Sequence, residues 1–405
     1  MVGSSQTAQA AGELYLAWRK THPSVTPAVR LSVPRPPIHA PAPRGAVHPM
    51  GMDATRGSRL IATQGRGIGV AGTGSHVPAT IITNQDLAGL INQEGKGADW
   101  ARQKLGIEGR RFMTPLDCRG RPTAEADELD MAEMAARNAL ASAAISPAQV
   151  DGLWYVSCTQ QGYARRHFSR SAFELHQRLG LRSEAVPIEM DAGCGGALHA
   201  MVLGGRMMAG GGMDTMLVVA ANAPSRYYGS WESYVAADVW LSMYIFGDGA
   251  GAMVLRRSEH IPSGSRIVAS YLGVDPNQPL MSYEPRSSDE SLYVIDARSV
   301  ANSFGIYAKQ ALEGLQREHA FEFGDIARFY FHQVNGMVLM KFVEKMGLPP
   351  ERVAMHVERY GNIAAAAMLV LLDEDRKKGI VGDGDLVVFC TVGAGAQFGA
   401  ALVRL

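Results

Sequence analysis

Apolar runs and Ala-rich segments alternate along most of this chain. The runs Leu153–Ser157, Thr215–Ala220 and Leu386–Phe389 are almost wholly apolar, which is typical of strands buried on both faces. Segments with helical patterns, such as Glu128–Ser142 and Val300–Glu318, fall between these runs. The alternation predicts an α/β fold in which layers of helices cover the sheets.

One cysteine lies at a predicted strand-to-helix junction. Residues 185–190 are apolar and strand-like, Cys194 follows inside Gly-Cys-Gly-Gly, and residues 195–209 carry a single charge, at Arg206. So apolar a segment predicts a helix that is buried on all sides. The free amides and the dipole of a helix N-terminus stabilise an anion, so Cys194 is predicted to be a nucleophilic thiolate. The alternative is a small cysteine in the core.

The second half of the chain has polar residues in comparable places. The aromatic strand 329–331 ends at His332, with Asn335 close behind, and Asn362 follows a glycine just before an Ala-rich segment. Taken singly, such a histidine is usually structural and such an asparagine usually belongs to a turn. Together with Cys194 they supply a nucleophile, a base and a second donor, the residues that thiol-based acyl transfer requires.

A set of short motifs runs in a fixed order through most of the chain. They are Gly72–Ser75 with Val77-Pro78 and Thr83-Asn84, Asp99-Trp100 with Gly106-Ile107 and Arg110-Arg111, Phe246–Ala252, His332-Gln333-x-Asn335, Gly361-Asn362, and Gly393-x-Gly395 with Gly399–Arg404. In this order and spacing, residues 67–405 resemble the β-ketoacyl-acyl-carrier-protein synthase III family of the thiolase superfamily.

This resemblance implies a thiolase-like fold with five layers, α-β-α-β-α, built from two pseudo-duplicated halves. The N-terminal half would comprise residues 66–258 and hold Cys194. The C-terminal half would comprise residues 264–405 and hold the predicted His and Asn. The family also implies a homodimer.

The resemblance assigns the reacting groups. Cys194 would be the acylated nucleophile, with His332 and Asn362 completing a catalytic triad, and the backbone amides of Cys194 and Ala394 would form the oxyanion hole. The family has glycine at the last position, but alanine can serve as a backbone donor if its dihedral angles are ordinary.

The resemblance also places substrate contacts. Trp100 would stack on the adenine of coenzyme A, Lys104 and Arg226 would hold its phosphates, and Asn335 would belong to the same coenzyme A and substrate-binding set. No metal and no further cofactor is implied, since the coenzyme A thioesters are substrates.

The implied enzyme is an acyltransferase of the 3-oxoacyl-acyl-carrier-protein synthase III type. An acyl-CoA would acylate Cys194, and decarboxylative Claisen condensation with a malonyl thioester, expected as malonyl-acyl carrier protein, would give a 3-oxoacyl product, carbon dioxide and CoA. One alternative is acyl transfer from Cys194 to a hydroxyl or amine without condensation, which Asn362 argues against because simple transfer needs no second donor. Another is a non-catalytic partner subunit, which the intact triad argues against.

Two departures from the family pattern concern the protein surface. Met337 stands where the family has an arginine that helps to dock the carrier protein, although Lys341 and Lys345 lie on the same predicted helix. The segment between Arg226 and Phe246 is longer than the family pattern and rich in aromatic residues. It is either an aromatic-packed surface or dimer loop, or a cap over the coenzyme A entrance or a wall of the acyl pocket.

A third departure concerns the acyl pocket. In the family, the loop equivalent to residues 160–170 reaches across the dimer and gates the partner's pocket with a phenylalanine. Here Phe168 lies near the gate position and Ser169 falls on it, and a serine gate would leave a larger pocket. Together the departures favour a specialised ketosynthase, for example in polyketide synthesis, over housekeeping fatty-acid initiation.

Composition limits the remaining function classes. The 405 residues are 47% hydrophobic, enough for a large core, and the formal net charge is zero, which gives no electrostatic case for nucleic acid or an anionic membrane. The four cysteines lack the spacing of a disulfide framework or zinc site. The longest apolar run, Ile363–Leu372, is half of the ~20 residues that span a bilayer. We therefore expect a soluble, cytoplasmic protein.

The first residues differ from the rest of the chain. Residues 1–65 are rich in proline and arginine, with only Glu13 and Asp53 as acids, so they are predicted to form a disordered extension. A transit peptide is the alternative, as is translation that starts at Met50 or Met52.

Overall fold

The computed structural model describes residues 67–124, 127–159, 170–227, 240–278, 281–285, 291–295 and 297–405. The predicted extension at residues 1–65 and the predicted gate residues, Phe168 and Ser169, lie outside the described residues, and their roles stay predictions.

The strands are numbered in chain order. They are β1 (Ile68–His76), β2 (Thr80–Thr83), β3 (Gly109–Phe112), β4 (Gly152–Val156), β5 (Val186–Met190), β6 (Thr215–Asn222), β7 (Gly249–Arg257), β8 (Arg266–Val274), β9 (Met281–Pro285), β10 (Ser291–Ile295), β11 (Arg328–Phe331), β12 (Leu386–Gly393) and β13 (Gln397–Arg404).

The helices are numbered in the same way. They are α1 (Asn84–Ile91), α2 (Ala98–Leu105), α3 (Glu128–Ser142), α4 (Arg170–Leu179), α5 (Gly196–Ala209), α6 (Leu241–Ile245), α7 (Ala297–Glu318), α8 (Gly336–Met346), α9 (Val357–Tyr360) and α10 (Ala367–Lys377). The helical pattern of residues 128–142 coincides with α3, and that of residues 300–318 with all but the first turn of α7.

Two mixed sheets form the framework of the described chain. The first has the strand order β1-β7-β6-β4-β5, in which β6, β4 and β5 run parallel to one another and β7 is antiparallel to both of its neighbours. The second has the order β11-β12-β13-β8, in which β11 and β12 are parallel and β13 is antiparallel to β12 and β8. Two short pairings, β2 with β3 and β9 with β10, lie outside these sheets.

The two sheets arise from the same succession of elements. The first half runs β1, α3, β4, α4, β5, α5, β6, β7, and the second runs β8, α7, β11, α8, a single bridge, α10, β12, β13. That bridge joins Val353 to Phe329 in the parallel sense and occupies the place that β5 has in the first half. The repetition is the pseudo-duplication expected from the family resemblance.

Successive side chains of a strand point to opposite faces of its sheet, so the cores that they enter show the order of the layers. In β4, Trp154 and Val156 enter a core shared with α5, α10 and the second sheet, whereas Leu153 and Tyr155 enter a core shared with α3 and α4. A third core joins α7 and α8 to the second sheet. The order is therefore α3 and α4, first sheet, α5 and α10, second sheet, α7 and α8, which confirms the five-layered fold. Within the described residues, no helix is long and apolar enough to cross a membrane.

Candidate active site

Cys194 lies where the chain passes from β5 into the central helix α5. A single 3-10 turn, Gly193–Gly195, connects the two elements, and Gly193 has a left-handed φ of 52°. A Cβ on Gly196 would lie 2.3 Å from Val156 Cγ1, so glycine there allows the start of α5 to approach the first sheet closely. Cys194 is thereby held at the N-terminal end of α5, with 5% of its surface exposed.

The turn between β12 and β13 packs directly on the turn that carries Cys194. A Cβ on Gly393 would lie 2.5 Å from Gly195 N and 3.3 Å from Cys194 N, and a Cβ on Gly193 would lie 3.2 Å from Ala394 N. The structure therefore brings together the two amides predicted to form the oxyanion hole. The left-handed residue of this turn is Gly395, with φ 106°, and Ala394 needs no such conformation.

His332 directly follows the last residue of β11. Its backbone N–H donates to Cys390 O at 2.9 Å and so extends the pairing of β11 with β12. His332 is 2% exposed and lies close enough to Cys194 to lower the pKa of its thiol. Its Nδ1 is buried and has no hydrogen-bond partner within the described part of the chain.

Asn362 is fixed by the motif that begins at Phe246. Its backbone N–H donates to Ile245 O at 2.8 Å, and its carbonyl accepts from Gly247 N at 3.2 Å. A Cβ on Gly247 would lie 2.1 Å from Tyr360 O, so only glycine permits this approach. The glycine-rich motif thus holds in place the loop that carries the predicted catalytic asparagine.

The orientation of the Asn362 amide follows from its partner. Its Oδ1 accepts the Ala364 N–H at 2.9 Å, which assigns the oxygen to that side and leaves the Nδ2 hydrogens as donors. Residues 364–366 contact the turn 193–195, and Ala364 shares a buried cluster with Cys194. The geometry therefore brings Asn362 to the same site as Cys194 and His332.

The surroundings of Cys194 favour its thiolate. Hydrogen bonding to the Cys158 thiol, together with the charge and hydrogen bond of His332, holds the pKa of Cys194 well below its ordinary value despite the opposing effect of burial. A lowered pKa increases the fraction of thiolate, which is the form of cysteine that attacks a thioester.

Cys158 is a site residue that the sequence did not predict. It lies two residues beyond the end of β4 and is 8% exposed. Asn222 Oδ1 accepts its backbone N–H at 3.1 Å and its thiol at 2.9 Å. The sequence does not reveal the order of the strands in the sheet. Cys158 comes near Cys194 because β4 and β5 are parallel neighbours.

The predicted coenzyme A residues on α2 lie beside the start of α8. A Cβ on Gly336 would come within 2.9 Å of Gly106 O, so glycine allows the end of α2 to pack on this helix. The Trp100 ring lies 5.7 Å from the Trp240 ring, and Lys104 is exposed on the last turn of α2.

The other two predicted contacts are already engaged within the protein. Arg226 Nη1 lies 3.8 Å from a Glu128 oxygen, and only 17% of its side chain is exposed. Burial raises the pKa of Glu128, and Arg226 opposes this rise. Asn335 Oδ1 caps α8 by accepting Val338 N at 2.8 Å, which leaves its amide hydrogens as donors. Phosphate binding by Arg226 and substrate binding by Asn335 stay predictions.

The aromatic segment after Arg226 is described only at its end. Residues 228–239 lie outside the described residues, whereas Trp240 and Tyr244 contact the ring of Trp100, with Tyr244 at 6.4 Å. Lys96 Nζ lies 4.9 Å from the centre of the same ring. The described residues contain no group of three or more His, Cys, Asp or Glu side chains that could hold a metal ion.

Comparison with known proteins places this arrangement in context. Residues 188–276 match the family model for 3-oxoacyl-[acyl-carrier-protein] synthase III, and residues 317–405 match the model for its C-terminal part. A beta-ketoacyl-[acyl-carrier-protein] synthase III from Alkalilimnicola ehrlichii is 30% identical over 342 residues, covering 83% of this chain and 98% of the relative. A chloroplastic synthase III B from Cuphea wrightii is 25% identical over 380 residues, covering 89% of each chain.

Solved structures share the fold at lower identity. The 3-oxoacyl-[acyl-carrier-protein] synthase III of Aquifex aeolicus aligns with a TM-score of 0.71 at 24% identity, covering 84% of this chain and all of that one. A cysteine-to-serine variant of Xanthomonas campestris OleA, with bound lauric acid and lauroyl-CoA, aligns with a TM-score of 0.73 at 20% identity, covering 84% and 99% of the two chains.

Proposed function

The chain belongs to the beta-ketoacyl-[acyl-carrier-protein] synthase III family of acyltransferases, and we propose that it condenses an acyl-CoA with a malonyl thioester. The observation that carries this proposal is the meeting of a Cys194 thiolate, His332 and the Asn362 amide donors beside two backbone amides. The proposed products are a 3-oxoacyl thioester, carbon dioxide and CoA.

The first proposed step is acylation of Cys194. The thiolate attacks the thioester carbonyl, and the amides of Cys194 and Ala394 donate to the oxygen as it gains negative charge. Collapse of this intermediate expels CoA and leaves an acyl-cysteine. Cys194 belongs to a buried apolar cluster that includes Met243 and Phe246, which suits an apolar acyl group.

The second proposed step forms the carbon–carbon bond. His332 and Asn362 donate hydrogen bonds to the thioester oxygen of the malonyl group, so the enolate left by loss of carbon dioxide is stabilised. The enolate carbon attacks the acyl carbonyl, and the bond to Cys194 sulfur breaks. Non-condensing transfer to a hydroxyl or amine needs only the first step, and nothing in it employs Asn362.

We propose that a carrier protein delivers the malonyl group to the exposed face of α8. Met337 and Met340 are exposed there, beside the exposed amines of Lys341 and Lys345. A mixed apolar and basic face suits an acidic partner, because complementary charge steers the encounter while apolar contact adds affinity.

Two further features support the setting proposed for this activity. β5 is an edge strand with Val186 45% exposed, and Phe173 on neighbouring α4 is 57% exposed, which suits pairing with a second copy in a homodimer. A low-pKa thiolate suits a reducing compartment such as the cytoplasm.

We also propose a specialised role with a starter larger than acetyl, which exclusive use of acetyl-CoA would contradict.

Intact-protein mass spectrometry tests the proposal. The enzyme and its Cys194→Ala variant are incubated with acyl-CoAs of increasing chain length, and malonyl-acyl carrier protein is then added. We expect an acyl adduct on the wild type alone, cleared by the malonyl donor with release of a 3-oxoacyl product. An adduct that no malonyl donor clears would favour non-condensing transfer. No adduct with any acyl-CoA would contradict the role of Cys194.

A further inference from the structure

Two thiols meet inside the site, although the proposed reaction uses only one of them. Cys158 and Cys194 belong to the same buried cluster, and the interaction with Cys158 is the largest influence on the pKa of Cys194. Cys390 lies in a different core, and Cys118 is exposed. All four cysteines are thiols in the structure.

The fold holds Cys158 firmly in this position. Asn222, on β6, accepts both the backbone N–H and the thiol of Cys158, so the sulfur is fixed relative to the sheet. Cys158 and Cys194 follow the C-terminal ends of the parallel neighbours β4 and β5. Ser157 N–H also donates to Met190 O at 3.4 Å, so the two segments are still paired just beyond the ends of these strands. The segments that carry Cys158 and Cys194 therefore leave adjacent strands at the same edge of the sheet.

We propose that Cys158 and Cys194 are an oxidative modification site, at which hydroperoxides convert the two thiols into a reversible disulfide. The Cys194 thiolate attacks one peroxide oxygen, and the O–O bond breaks. The products are a Cys194 sulfenic acid and an alcohol, or water when the oxidant is hydrogen peroxide. The Cys158 sulfur then displaces the sulfenic hydroxyl, which leaves as water with the Cys158 proton. A dithiol reductant restores both thiols and is itself oxidised to a disulfide.

The consequence is protection of the nucleophile. A sulfenic acid without a neighbouring thiol is open to further oxidation to the sulfinic and sulfonic acids, which ordinary thiols do not reduce. A second thiol in the same buried cluster traps the first oxidation product before that happens. Oxidation would then switch the enzyme off in a recoverable form. The inference depends on a reactive Cys194 thiolate and not on the condensation chemistry.

Peptide mapping of the wild-type enzyme tests the site directly. The protein is treated with hydrogen peroxide, remaining thiols are alkylated, and tryptic peptides are analysed without reduction. We expect a cross-link between the peptides of Cys158 and Cys194, an intact mass lower by two hydrogen atoms, and recovery of Cys194 alkylation after dithiothreitol. Oxygen adducts on Cys194 without any cross-linked peptide would overturn the proposal, whether or not the enzyme condenses substrates.

A pair of matched variants separates trapping from general sensitivity. In Cys158→Ser we expect peroxide to add two or three oxygen atoms at Cys194, with no recovery by dithiothreitol. Cys118→Ser, which removes an exposed thiol, should behave like the wild type. Equal recovery in wild type and Cys158→Ser would refute trapping by Cys158. Should Cys158→Ser fail to fold, the wild-type peptide map decides the matter alone.

Discussion

Replacing Asn362 with aspartate changes the chemistry of one side chain and almost nothing of its shape. The oxygen that accepts the Ala364 N–H at 2.9 Å is kept, and so are the backbone bonds to Ile245 and Gly247. What disappears is the Nδ2 donor, which is replaced by a carboxylate oxygen. The variant therefore removes the donor proposed to stabilise the enolate while leaving the loop in place.

The expected loss falls on one step of the reaction. One preorganised donor to a developing oxyanion contributes about 2.7–4 kcal/mol, or roughly a hundred- to a thousandfold in rate. Condensation by Asn362→Asp should fall by at least that factor, because the new negative charge also opposes the enolate. Acylation should change little, since the amides of Cys194 and Ala394 are the groups proposed to bind its oxyanion.

Single-turnover measurements separate the two steps. The rate of acyl adduct formation is followed by intact mass, and the preloaded acyl-enzyme is then mixed with the malonyl thioester to follow adduct clearance. Asn138→Asp is the matched control, because Asn138 is an exposed amide on α3 whose Nδ2 donates to Ser75 O at 3.0 Å. An equal fall in the rates of acylation and condensation would refute the assigned role. A fall of less than about tenfold in the condensation rate would refute it as well.

Three further predictions concern the thiolate, the packing and the carrier protein. His332→Ala should move the pH midpoint of Cys194 alkylation upward, since the histidine lowers the pKa of this thiol; an unmoved midpoint would contradict that influence. Gly247→Ala should lower the free energy of unfolding by about 1–3 kcal/mol through overpacking. Thermal unfolding measures this change, and Gly382→Ala, whose Cβ would lie in open space, should show no such loss. Lys341→Glu should raise KM for malonyl-acyl carrier protein but not for malonyl-CoA; an equal rise for both would argue against docking on α8.

Much of this arrangement could be predicted from the sequence because it is local. The apolar runs correspond to β4, β6 and β12, the helical pattern of residues 128–142 to α3, and the junction at Cys194 is the expected turn into a buried helix. Each of these depends on residues only a few positions apart. Hydrophobic periodicity and turn chemistry report directly on such short distances.

Contacts between distant segments were not predictable in the same way. The pairing of Cys158 with Cys194 requires knowledge that β4 and β5 are neighbours. The ion pair of Arg226 with Glu128 joins α3 to the segment after β6, and no spacing in the sequence reports it. The motif alignment predicts that Arg226 holds a phosphate, and it gives no indication of the carboxylate that lies beside this guanidinium.

The duplicated fold explains why one point in the molecule gathers so many reactive groups. α5 and α10 occupy equivalent places between the sheets, and Cys194 and Asn362 lie at their N-terminal approaches. Cys158 and His332 follow β4 and β11, which are equivalent strands of the two halves. Each half thus brings one residue from a strand end and one from the approach to a central helix. Because separate halves position the proposed nucleophile and the proposed donors, we expect that changing Asn362 slows condensation without disturbing the turn that carries Cys194.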